Sequence, residues 1–192
     1  MTNETSTAPV RACCCGGATA AEPVQAPTAR PAPIDGRFEL VDHHGRAVTE
    51  RSFGDRHLLV FFGFTHCAVV CPRELGKLGA ALERLGPLAD RIQPLYVTVD
   101  PRRDDPKTMQ AYVARQPGGF TGLTGTPAQV EAAKKAFRVF AEPVPDAGAP
   151  GGYVVPHTAF AYLMAPGGRY QAHLPDALDI DAVVERLRRH IV

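Results

Sequence analysis

The sequence predicts an α/β protein, with a mixed central sheet flanked by helices on both sides. Three observations carry this expectation. Two continuous apolar runs, "HLLVFFGF" at 57–64 and "IQPLYVTVD" at 92–100, suit strands covered on both faces. Each is followed by a segment with apolar residues at helical spacing. Near the C-terminus, "TAFAYLMAPGGRYQAHL" reads as an antiparallel hairpin turning at Pro166-Gly167-Gly168, and a last helix follows.

Composition narrows the function. With 192 residues the chain is long enough for one well-cored domain and a tail. A net charge of +1, from 21 basic and 20 acidic residues, gives no electrostatic reason to expect nucleic acid or an anionic membrane as partner. No apolar run approaches the ~18–20 residues of a membrane-spanning helix. The start, "MTNETSTAPVRACCCGGATAAEPVQ", lacks the basic opening and apolar middle of a signal peptide, so no export signal or anchor is expected.

Residues 1–34 are rich in Ala, Pro, Thr and Gly and are expected to form a flexible tail; residues 35–192 form the domain. "RFELVDHHGRAV" reads as two short strands around a turn in which His43 and His44 are solvated. After the first apolar run, Leu75, Leu78, Leu82 and Leu85 recur at helical spacing, with Pro72 at the first helical position. After the second run, Asp105 is an N-cap and Pro106 opens a helix. "GGFTGLTGT" is a short strand. Thr126-Pro127 then opens a helix with Val130, Ala133, Phe137 and Phe140 on one face. Residues 141–153 are a loop, and the last helix presents Ile180, Val183, Val184, Leu187 and Ile191 inward. Thioredoxin-like folds have this order, and they place reactive cysteines where a central strand meets the following helix.

Cys67 and Cys71 sit at that junction, in "FFGFTHCAVVCPRELGKL". If Pro72 is the first helical residue, Cys71 is the N-cap, and unpaired N–H groups there favour its thiolate. Cys67 lies one turn earlier, so both sulfurs can reach a common point. The pair can act as a disulfide switch or a soft-metal site, or can be two small buried hydrophobes. Cys13, Cys14 and Cys15 are consecutive in the tail, which is a poor disulfide framework. They are an inert tail, an acceptor thiol or an accessory soft-metal site.

The motifs resemble those of the Sco/SenC family of copper chaperones that assist cytochrome c oxidase assembly. Phe62-Gly63-Phe64-Thr65-His66-Cys67 with Cys71-Pro72 matches the first signature. Val99-Asp100-Pro101-Arg102-Arg103-Asp104 matches the second, and His157-Thr158 with Tyr162-Leu163 the third. The resemblance covers about 38–192 and implies that Cys67, Cys71 and His157 bind copper. Two soft sulfurs suit Cu(I), and an imidazole lets the same site hold Cu(II). The family usually has Pro-Asp inside the cysteine loop, where this chain has Ala68-Val69-Val70, and Asp before the histidine, where this chain has Pro156. Both changes remove negative charge near the ion, which bears more on Cu(II) than on Cu(I); the second removes an outer group that orients the ring.

Asp100, Arg103 and Asp104 read as a helix cap and ion pair, with a role at the site edge as the alternative. His66 reads as a loop residue. The resemblance implies a monomeric metallochaperone without turnover, serving the copper-bearing subunit of the oxidase or another copper chaperone. It implies the periplasm or outer face of the inner membrane; the missing anchor makes the cytoplasm the alternative. The competing readings are a thiol–disulfide oxidoreductase and a copper or redox sensor using the same pair. A peroxiredoxin is disfavoured, because Thr65 stands two residues before Cys67 and that family places its threonine three before.

Overall fold

In the computed structural model, which describes residues 33–191, the two apolar runs become β3 (His57–Gly63) and β4 (Ile92–Thr98), fully buried and paired in parallel. Their side chains alternate between two cores. Leu58, Val60 and Phe62 of β3 join Leu95 and Val97 of β4 on one face, whereas Leu59 and Phe61 join Tyr96 on the other. This two-sided burial is why the runs are continuous rather than alternating.

The sheet grows outward from this pair. β1 (Glu39–Asp42) and β2 (Ala47–Thr49) form the first hairpin, and β5 (Thr121–Thr124) lies between β1 and β4. The late hairpin supplies β8 (Phe160–Met164) and β9 (Tyr170–Pro175). The seven-stranded order is β2-β1-β5-β4-β3-β8-β9, parallel at β5-β4-β3 and antiparallel elsewhere. The late turn uses Gly167 at φ 77° and Gly168 at φ 87°, a backbone region that favours glycine.

Helices α1 (Val70–Leu85), α2 (Pro106–Val113) and α4 (Ile180–Ile191) cover one face and α3 (Pro127–Phe137) the other. The expected caps form: Asp105 accepts from the Thr108 N–H and Thr126 from the Gln129 N–H. In α4, Val183, Val184, Leu187 and Ile191 are buried and Ile180 packs at the margin.

Three local expectations are corrected. Phe140 is not on the face of α3. That helix stops when Arg138 turns left-handed at φ 57°, and the Val139 N–H bonds back to the Lys134 carbonyl at 2.8 Å. Val139 is thereby buried and Phe140 left 64% exposed. Residues 141–153 are not all loop: β6 (Val144–Pro145) and β7 (Tyr153–Val154) form a separate two-stranded ladder. Two prolines around Val144 hide any alternation that would have signalled it. His43 is not solvated, since its Nδ1 accepts the Gly122 N–H at 2.9 Å and ties the first turn to β5. Desolvation by burial pushes the His43 imidazole below its ordinary pKa. Ile34, at the end of the expected tail, packs against the α3 side of the core.

Candidate metal centre

The cysteine loop joins β3 to α1. Its entry is held by a carboxylate from the other side of the β3–β4 pair. Asp104 accepts from the Thr65 hydroxyl at 2.6 Å, the Thr65 N–H at 3.1 Å and the Thr98 hydroxyl at 2.6 Å. It is fully buried, and desolvation raises its pKa above the ordinary carboxylate value. The first-turn amides of α2 are served by Asp105, so Asp104 is not a cap. Its nearest cationic candidate, His66 Nδ1, is 3.9 Å away and also contacts the Thr65 hydroxyl at 3.1 Å. Asp104 instead bonds Thr65 at the entry to the cysteine loop.

The expected N-cap is corrected. α1 begins at Val70, with Val69 as its cap residue, so Cys71 lies inside the first turn and Pro72 follows it. Proline is tolerated there because first-turn amides have no partner within the helix. Cys71 is fully buried and Cys67 is partly exposed. The Cys71 N–H points at Cys67 Sγ at 3.4 Å. The Cys71 thiol and the amides at the helix start stabilise charge on Cys67, drawing its pKa down to about 5. The same contact and burial push Cys71 up. The thiolate therefore belongs to Cys67, not Cys71.

A test follows from this split. Iodoacetamide should alkylate reduced Cys67 with a midpoint near pH 5 and spare Cys71 over the same range; equal labelling, read by peptide mass, would contradict it. Linkage has a defined sign. A depressed acidic pKa contributes stability fully present above the ordinary thiol value of 9.0 and lost as pH falls towards about 5.

His157 follows β7. Its backbone forms a bridge with Ala141, and the Thr158 N–H bonds the Phe140 carbonyl at 2.9 Å. Nδ1 lies 2.8 Å from the Val155 carbonyl, which can only accept, so Nδ1 carries a proton and Nε2 is the nitrogen that bears the lone pair in the neutral tautomer. Nε2 is buried with no hydrogen-bond partner among the described residues. The ring stands edge-on to Phe64 at 5.8 Å, and Phe64 lies three residues before Cys67. Among the described residues, no three Cys, His, Asp or Glu side chains already surround one point as a metal-binding group. The two cysteines are together, and His157 is adjacent to their loop through Phe64 without closing on the sulfurs.

Arg103 links the histidine segment to the strand ends. It pairs with Asp100 at 2.5 Å, as the ion-pair reading expects. It also donates to the Pro150 carbonyl at 2.6 Å and stacks on the Tyr153 ring at 3.8 Å, with the Phe64 ring at 5.7 Å. The Tyr153 hydroxyl returns a hydrogen bond to Asp100 at 3.0 Å. Phe64, Thr65, Thr98 and Tyr153 thus build the site, and sequence reasoning assigned none of them a role. Thr65 and Phe64 stand inside the first motif, which is the one signal that marked them.

A protein-family model described as SCO1/SenC matches residues 26–192. This chain belongs to the SCO1/SenC family. A mitochondrial SCO2 homolog of Danio rerio is 37% identical over 158 residues, 81% of this chain and 56% of that protein. The protein sco1 of Schizosaccharomyces pombe is 37% identical over 139 residues, 71% of this chain and 53% of that protein. This chain therefore spans little more than half of these curated relatives. Among solved structures, Bradyrhizobium japonicum ScoI with copper bound is 36% identical with a TM-score of 0.73, covering 82% of this chain and 99% of that one. Arabidopsis thaliana ScoI, also with copper bound, is 30% identical with a TM-score of 0.77, covering 82% and 98%. The fold is accordingly thioredoxin-like.

Two features stand out in this SCO1/SenC chain. Its cysteine loop carries Ala68-Val69-Val70, and Val69 is 67% exposed, so the rim is apolar and uncharged. The Val155–Pro156 bond before His157 is trans, and the Val155 carbonyl orients the ring where the Asp usual in the family is replaced by Pro156. Cys13, Cys14 and Cys15 lie outside the described residues. No described helix is long and apolar enough to cross a membrane.

Proposed function

We propose that this chain binds copper through Cys67, Cys71 and His157 and passes it to the copper-bearing subunit of cytochrome c oxidase or to another copper chaperone. The observation that carries this reading is the buried His157 Nε2, which has no hydrogen-bond partner among the described residues and sits against Phe64 at the entry to the cysteine loop. The donor set is two sulfurs and one imidazole, which holds Cu(I) and also accepts Cu(II). Copper is cargo in this reading, so a site that closes only when loaded suits release as well as capture. Closing requires the imidazole and the sulfurs to approach one another, with Arg103 and Asp104 holding the two segments that move. The copper-bound ScoI structures and the family membership support the assignment.

We place the protein in the periplasm or at the outer face of the inner membrane. The SCO2 homologs of Danio rerio and Homo sapiens are named as mitochondrial, which agrees with a place outside the cytoplasm. The cysteine run at 13–15 is proposed as an accessory copper site.

The test is metal titration under anaerobic conditions. Reduced protein is expected to bind about one copper per chain at the core site. The form with Cys67 joined to Cys71 is expected to bind none there, because neither sulfur can then donate as a thiolate. Full copper loading of the oxidised core would defeat the proposal.

One observation favours a second reading. Cys67 is partly exposed with a low pKa, and Cys71 is buried behind it with a high one. That is the division of labour of an attacking and a resolving thiol. A thiol–disulfide oxidoreductase predicts disulfide turnover that needs both cysteines and is indifferent to His157.

A further inference from the structure

β3 ends on Gly63, and nothing larger fits there. A Cβ at this position would lie 2.6 Å from the Tyr96 hydroxyl oxygen and 2.8 Å from Cys71 Sγ. The phenol and the sulfur therefore meet in one small space beneath the cysteine loop. Tyr96 comes from β4, is fully buried, and is stacked on Tyr112 at 5.3 Å and against Phe61 at 6.3 Å. Packing on both sides keeps its ring in place. Its hydroxyl has no hydrogen-bond partner among the described residues. A buried phenol usually has a partner, and two polar atoms lie near: the Cys71 sulfur, and the hydroxyl of the stacked Tyr112, which is also buried without a partner among the described residues.

We propose that Tyr96 is a positioning residue that donates to the Cys71 sulfur and so favours the dithiol and the copper-bound thiolate over the Cys67–Cys71 disulfide. The Cys71 N–H meets Cys67 Sγ at 3.4 Å, and a Cys71 S–H turned the same way would leave the Cys71 sulfur a better acceptor for the phenol. A metal-bound thiolate is a stronger acceptor still. A disulfide sulfur has neither charge nor proton, so oxidation leaves the phenol without a worthwhile acceptor. Tyr96 would thereby keep the site ready to load. The inference rests on the reading of Cys67 and Cys71 as a redox-sensitive copper site, but its test contains no metal.

The experiment equilibrates the full chain with mixtures of glutathione and glutathione disulfide. Forming the bond takes two protons and two electrons from Cys67 and Cys71, and glutathione disulfide receives them to become two glutathiones. The fraction oxidised is read by alkylation and peptide mass, which separates this pair from Cys13, Cys14 and Cys15. Tyr96→Phe keeps the ring and removes only the hydroxyl. It is expected to shift the equilibrium about tenfold towards the disulfide, a potential lower by about 30 mV. Tyr112→Phe is expected to stay within about twofold of the wild type.

An unchanged equilibrium in Tyr96→Phe, a shift towards the dithiol, or an equal shift in Tyr112→Phe would overturn the assignment. If Tyr96→Phe does not fold, ring-labelled tyrosine in the wild-type chain decides. The Tyr96 Cζ resonance should move on oxidation more than that of Tyr112, and equal movement would overturn the proposal. A wild-type chain that binds no copper would refute the proposed function while leaving this comparison intact.

Discussion

Replacing His157 with alanine is expected to weaken Cu(II) binding by about 100-fold or more while leaving Cys67 and Cys71 able to form their disulfide. Outer groups that merely orient a metal ligand already change affinity by about 10–100-fold, so loss of a ligand belongs at or above that range. The effect should be larger for Cu(II) than for Cu(I), because the sulfurs alone satisfy a soft ion and the imidazole is the harder donor. The structure makes this substitution informative for another reason. Among the described residues His157 Nε2 has no hydrogen-bond partner, so removing the ring breaks the Nδ1 bond to the Val155 carbonyl and the Phe64 contact and no hydrogen bond at Nε2. A loss of copper with little loss of stability would therefore report on ligation rather than folding. Competitive titration with a chromophoric chelator, alongside electron paramagnetic resonance of the Cu(II) form, measures both. Unchanged affinity and an unchanged spectrum would remove His157 from the site.

Asp104→Ala is expected to cost about 3 kcal/mol of stability and to loosen the cysteine loop. The carboxylate receives three hydrogen bonds, from the Thr65 hydroxyl, the Thr65 N–H and the Thr98 hydroxyl. Each donor left unsatisfied in a buried setting costs about 1–3 kcal/mol, and the hydroxyls recover part of that by rotating. Denaturant unfolding reads the loss. The pH profile of the wild type adds a sign. Burial raises the Asp104 pKa, so this group's contribution is fully present below its unfolded value of 3.8 and declines as pH rises through the raised folded value. The variant should lack that decline. It should also alkylate faster at Cys67, since Thr65 no longer anchors the loop. A variant as stable as the wild type, with the same labelling rate, would show that Asp104 does not hold this segment.

The parts legible in the sequence are those written in adjacent residues. Runs such as "HLLVFFGF" announce strands because both faces are apolar, and Asp105 and Thr126 announce helix starts because a cap acts within three positions. The cysteine pair was legible as a site for the same reason. Where the chain reads itself across distance, sequence reasoning fell short. Asp104 looked like a cap because its partners Thr65 and Thr98 lie on two strands brought together by the sheet. The start of α1 was misplaced because Pro72 suits any first-turn position, and the thiolate went to the wrong sulfur as a result. Phe140 was misread because the helical stripe was continued beyond a left-handed Arg138, which no periodicity reveals. The tautomer of His157 depends on a neighbouring carbonyl two residues back, and only coordinates supply its direction.

The borders of the sheet have their own consequence. One outer strand, β2, has three residues, and the other, β9, begins at an irregularity between Tyr170 and Ala172, ends in Pro175 and has its His173 carbonyl engaged by Arg186. Such margins give a passing chain few free amides on which to zip, so this fold resists edge-to-edge stacking into fibres. Encounters with other molecules are then left to the loop tips at the strand ends, where the sulfurs already wait.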